Sequence, residues 1–163
     1  MSDPQKQFAD LIAGFHYKKE TNKLGDYKPY KYQEAFHNAI GFQTSRPASQ
    51  RALIAANQSG KTLCGSMEAA IHLTGLYPPW WRGNRFARGV SVLVGGLTNE
   101  SVRDICQKEL FGDPVDEKKI GTGSIPLACI GKMIRKAGVP NALDSVQIKH
   151  VSGLWSKVSF RAY

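Results

Sequence analysis

The stretch RALIAANQSGKTLCGSMEAAIHLTG, residues 51–75, decides how the chain is read. Residues 51–56, RALIAA, form a short apolar run suited to a buried strand. Residues 60–74 place Leu63, Met67, Ala70, Ile71 and Leu73 or Thr74 near one face of a helix. Gly75 and Pro78-Pro79 stop that helix. Between strand and helix lies Gly60-Lys61-Thr62, the ending of a phosphate-binding loop. Such a triplet arises by chance in roughly one chain in ten of this length, so alone it is weak. Its setting between an apolar run and a helix start gives it meaning.

The chemistry accounts for that setting. Backbone N–H groups of Asn57, Gln58, Ser59, Gly60, Lys61 and Thr62 can curl round one phosphate as a nest. The helix start adds its positive dipole end. Lys61 is placed to bridge β- and γ-phosphates, and the Thr62 hydroxyl to ligate Mg2+. Where the loop pattern wants its first glycine the chain has Ala55, followed by Ala56. A methyl group is tolerated there provided Ala55 keeps a negative φ. The ATP-site residues expected from sequence are therefore Ala55 to Thr62. The bland alternative is an ordinary strand–turn–helix with an exposed Lys61.

Working outward, Phe8, Leu11, Ile12 and Phe15 predict a helix within residues 1–20, opened by Asp3-Pro4. Residues 31–41 read as a short helix ending at Gly41, and GVSVLVG, 89–95, as a second strand. Thr98 caps a helix carrying Val102, Ile105, Cys106 and Leu110. Residues 127–136 read as a short helix closed by Gly138 and Pro140. SVQIKHV and LWSKVSFRAY alternate around Ser152-Gly153 and predict a hairpin. The strand, helix, strand, helix order predicts an α/β fold, with residues 57–88 as the crossover between parallel neighbours. Tyr77, Trp80 and Trp81 are expected to plug the end of the crossover helix.

The chain has 163 residues, 42% of them apolar, and a net charge of +9, as suits one soluble domain. No apolar run is long enough to span a membrane, and the first residues do not form a secretion signal. Cys64, Cys106 and Cys129 fit neither a disulfide framework nor a metal pair, and a reducing cytosol suits them. His16, His37, His72 and His150 lack zinc spacing. From Lys118 to Tyr163 there are eight Lys or Arg and one acid, Asp144, a balance that attracts polyanions. Lys132, Arg135 and Lys136 are placed on or near one helix, able to touch phosphates or simply solvated.

The segments AANQSGKT, GSMEAAIHLTGLYPPWW, VLVGGLTNESVRD and HVSGLWSKVSFRAY resemble the large terminase subunit of tailed bacteriophages. The resemblance runs from about Tyr27 to Tyr163. It implies a P-loop NTPase-like α/β domain with a partly parallel sheet flanked by helices, incomplete, and ending in the β-hairpin. Residues 1–26 then form an N-terminal helical segment, and 27–163 a partial ATPase domain. It implies ATP and Mg2+ as ligands, and ATP-driven packaging of double-stranded DNA into capsids. It implies portal protein and small terminase subunit as partners, a homo-oligomeric ring, and work in the cytoplasm of the infected bacterial host. YKPYKYQ, ending in Gln33, resembles the family's adenine-recognition segment, since an amide can donate to and accept from the base edge. Tyr30 or Tyr32 are candidates to stack on the base.

A motor of this class also needs a strand ending in an Asp that holds Mg2+, followed by a carboxylate that orients water. No apolar run here ends that way, and the acid cluster of a two-metal nuclease is missing as well. The expectation is the front part of an ATPase domain that does not turn ATP over alone. The loop also lacks an arginine, with Asn57, Gln58 and Ser59 in its place. Two other readings are a different P-loop enzyme such as a small kinase, and a non-enzymatic basic nucleic-acid-binding or assembly module.

Overall fold

A computed structural model describes residues 4–42 and 44–163. Asp3, expected at the first helix start, lies outside the described residues. The chain builds α1 (Pro4–Thr21), α2 (Lys31–His37), α3 (Lys61–Thr74) and β1 (Ser91–Gly96). A continuous helical stretch follows, made of α4 (Asn99–Ser101), a π-helical segment Val102–Gln107 and α5 (Lys108–Phe111). Two 3-10 turns, Glu117–Lys119 and Leu127–Cys129, lead to β2 (Ile130–Arg135), β3 (Leu143–Lys149) and β4 (Trp155–Ala162).

The four strands form one sheet in the order β1-β4-β3-β2. β1 runs parallel to β4, with Leu93 opposite Ser159. β3 and β4 are antiparallel, with Val146 opposite Val158, and β2 is antiparallel to β3. The expected hairpin is present, and its Gly153 takes a φ of 84°, a left-handed value that glycine adopts without strain. The parallel pair is β1 with β4, so the sheet is mixed and mostly antiparallel.

Val92, Val146, Val158 and Phe160 point to one face, and against it pack α3 and the 99–111 helical stretch. α3 buries Cys64, Met67, Ala70, Ile71 and Leu73, close to the stripe read from sequence. Trp81 is buried beside it and Trp80 and Tyr77 pack against the same core, as expected of a plug. The opposite sheet face leaves Leu93, Trp155 and Lys157 exposed. α1 forms, yet Phe8, Leu11, Ile12 and Phe15 are all exposed. α2 ends at His37, earlier than Gly41.

Two expectations are corrected. Residues 51–56 are not a strand of the sheet. Burial alternates along them as in a strand, but no described backbone pairs with them, and Ile54 is 94% exposed. The crossover through 57–88 therefore does not join two parallel strands. Residues 127–136 are a 3-10 turn followed by β2, not a helix. The run Ile130, Met133 and Ile134 mimics helical spacing because bulges break the alternation of β2. Lys132 and Arg135 consequently sit on a strand and Lys136 just beyond it.

Candidate functional site

The chain passes through residues 51–56 without regular secondary structure and turns at 57–60 into α3. Positive φ falls on Gln58 (60°) and Gly60 (78°), and not on Ala55, so the alanine in the first glycine's place meets the condition set for it. Lys61 is the first residue of α3 and Thr62, exposed, is the second. Among the described residues, the backbone N–H groups of Asn57 to Thr62 donate to no protein acceptor. The Lys61 ammonium reaches back to donate to the carbonyls of Ala55 (2.8 Å) and Ala56 (2.5 Å). The Ser59 hydroxyl also donates to Ala56 O, at 2.7 Å. Residues 55–62 thus form one tight unit, with the ammonium at its waist.

α2 holds the loop from the side. The Tyr32 hydroxyl donates to Ser59 O. Gln33 is buried, and its Nε2 donates to Gly60 O at 3.2 Å. Its Oε1 accepts from Tyr30 N at 3.0 Å and from the Tyr27 hydroxyl at 3.4 Å. The residue expected to read adenine therefore has both ends of its amide engaged within the protein. Tyr30 and Tyr32 stack on each other, with ring centres 6.1 Å apart.

Behind the loop lies a polar cluster that the sequence reading missed. His37 is fully buried and packs against both Trp80 and Trp81, with ring centres 5.5 Å away in each case. Its Nδ1 lies 2.8 Å from Glu68 Oε2 and donates to it, because a carboxylate can only accept. Its Nε2 lies 3.1 Å from the Tyr27 hydroxyl and 3.5 Å from Cys64 Sγ. The Arg51 guanidinium forms an ion pair with Glu68 and donates to Phe36 O (3.0 Å) and His37 O (3.1 Å). Burial alone would raise the Glu68 pKa. The hydrogen bond from His37, the nearby His72 imidazole (3.8 Å) and the charge of Arg51 outweigh it and hold the carboxyl at about 2. Burial pushes the Cys64 thiol up to about 11, so it is not a ready nucleophile. One sign was available in the sequence: Glu68 is a charge beside the apolar stripe of α3, one residue from Met67 and three from Ile71.

Fold and site together define a mixed α/β chain whose sharply turned loop feeds a helix headed by lysine and threonine. Among curated proteins, the chain is 31% identical over 160 residues to the protein described as "Terminase, large subunit" of Salmonella phage P22. The match covers 91% of this chain and 31% of that protein. The chain belongs to the large terminase subunit family, and spans under a third of the length of that relative. No family model and no solved structure matches it.

Proposed function

We propose that residues 55–62 bind the polyphosphate of Mg-ATP, and that the chain serves in phage DNA packaging as the ATP-binding part of a terminase large subunit. The observation that carries this reading is that, among the described residues, the loop N–H groups of Asn57 to Thr62 meet no protein acceptor, in the same loop whose Ala55 and Ala56 carbonyls hold the Lys61 ammonium. Free N–H groups at a helix start favour an anion, and lysine supplies the balancing charge. On binding, Lys61 exchanges the carbonyls of Ala55 and Ala56 for phosphate oxygens. Thr62, exposed in the first turn, is the residue that would hold Mg2+, which supplies charge neutralisation to the phosphates.

The similarity to a protein described as a large terminase subunit supports the DNA-packaging role; that hydrolysis of ATP moves double-stranded DNA is part of the proposal. Portal protein, small terminase subunit and a ring of copies are the partners such a role implies, in the cytoplasm of an infected host. Among the described residues no helix is long and apolar enough to cross a membrane. The basic segment 118–163 suits a polyanion, though its bases are spread over a 3-10 turn and β2, β3 and β4 rather than along one α-helix.

Calorimetric titration with Mg-ATP tests the nucleotide reading. Saturable binding that Lys61→Ala weakens at least tenfold supports it. Equal binding by parent and variant, or none by the parent, sinks it.

A further inference from the structure

The entrance of the loop has a mechanical problem. Residues 51–56 lead into it, yet no described backbone hydrogen bond fixes them to the sheet. A nest for phosphate works only if its amides are held in place before the ligand arrives. Lys61 holds the segment's far end through the Ala55 and Ala56 carbonyls, and at its near end Arg51 bonds to both neighbouring helices. Its guanidinium contacts Glu68 on α3 and the carbonyls of Phe36 and His37 at the end of α2. Glu68 in turn accepts from His37, and His37 touches Tyr27, whose hydroxyl reaches Gln33, the residue that grips Gly60 O.

We infer that Glu68 is a positioning residue for the phosphate loop: its carboxylate holds Arg51 at the loop's entrance and, through His37 and Tyr27, Gln33 at its exit. One acid on the helix that follows the loop thereby sets both shoulders of the loop. A carboxylate suits the task because it can accept the arginine fork and an imidazole N–H at once, on its two oxygens. Neutralising it removes the ion pair and leaves the Arg51 charge without its partner. The mechanical part of this inference stands on geometry alone. Its consequence for affinity rests on the nucleotide reading above.

Backbone 15N relaxation on the parent chain and on Glu68→Gln tests it. The parent is expected to show order parameters near 0.85 at residues 55–59, and Glu68→Gln values below about 0.6 there, with β3 and β4 unchanged. A loop already mobile in the parent, or equally ordered in the variant, overturns the inference. If Glu68→Gln loosens the sheet too, Arg51→Lys decides. It keeps the charge but loses the fork, and loosening confined to 55–59 supports the inference, while an unaltered loop overturns it. Titration with Mg-ATP supplies the second arm, with Kd expected to rise about tenfold in either variant. A parent that binds and variants that bind equally well overturn the positioning role. A parent that fails to bind removes the nucleotide reading, while the relaxation data still decide whether Glu68 holds the loop.

Discussion

The ammonium of Lys61 lies 2.8 Å from the carbonyl oxygen of Ala55, six residues earlier and on the other side of the loop. The side chain with the most to offer a phosphate is thereby parked on the loop's own backbone. Any anion that enters has to offer Lys61 more than two carbonyls do. Phosphate oxygens meet that demand, because they carry negative charge and add a Coulombic attraction to the ammonium that neutral carbonyls lack.

Lys61→Ala should therefore separate binding from folding. The carbonyl of Ala56 belongs to an exposed residue and water replaces the ammonium there, so chemical denaturation should shift by no more than about 0.5 kcal/mol. Thermal stabilisation by Mg-ATP should vanish in the same variant. A large loss of stability without ligand would mean that Lys61 is a structural staple.

Acid should unpick the cluster round Glu68. Its folded pKa, about 2, lies below its ordinary 4.5, so its contribution to stability is complete above pH 4.5 and drains away as pH falls toward 2. Urea midpoints of the parent should fall across that window. In Glu68→Gln the fall should be shallower from a lower plateau, since no carboxylate remains to be neutralised. Parallel pH profiles for the two chains would refute this.

Gly75 ends α3 at a φ of 72°, where a side chain is strained. A Cβ there would lie 2.4 Å from Nε2 of the buried His150 and 2.7 Å from Val151 Cγ2. Gly75→Ala should cost about 2–4 kcal/mol, from backbone strain and overpacking together. Urea unfolding at neutral pH measures it.

Thr98 caps the 99–111 stretch. Its side chain accepts from Ser101 N at 3.0 Å, and Ser101 Oγ accepts from Thr98 N at 3.1 Å. Thr98→Ala should cost about 1 kcal/mol, and Thr98→Ser much less. Equal costs for the two would show that the methyl group matters and the hydroxyl does not.

Much of this architecture could be read from residues that speak locally. Thr98 announces a helix start, Gly75 a helix end, and the alternation of 145–151 and 154–163 a hairpin, because each effect depends on neighbours within a few positions. RALIAA has the composition of a strand and the alternating burial of one, but strandhood also needs a partner, and no described residue supplies it. Residues 127–136 misled for the opposite reason, since bulges in β2 disguise its period. At the site, the loop and Lys61 were legible as a motif. Arg51, His37 and Glu68 were not, as they lie up to 31 positions apart and meet only once α2 and α3 have packed.

β1 closes one end of the sheet, and among the described residues only its inner side is paired, with β4. Its outer rim offers bare donors and acceptors to any extended chain, beside the protruding Leu93. Mutual repulsion between molecules that each carry a net charge of +9 opposes such pairing. Added salt weakens that repulsion while leaving the rim as sticky as before, so this protein should clump as ionic strength rises and disperse as it falls.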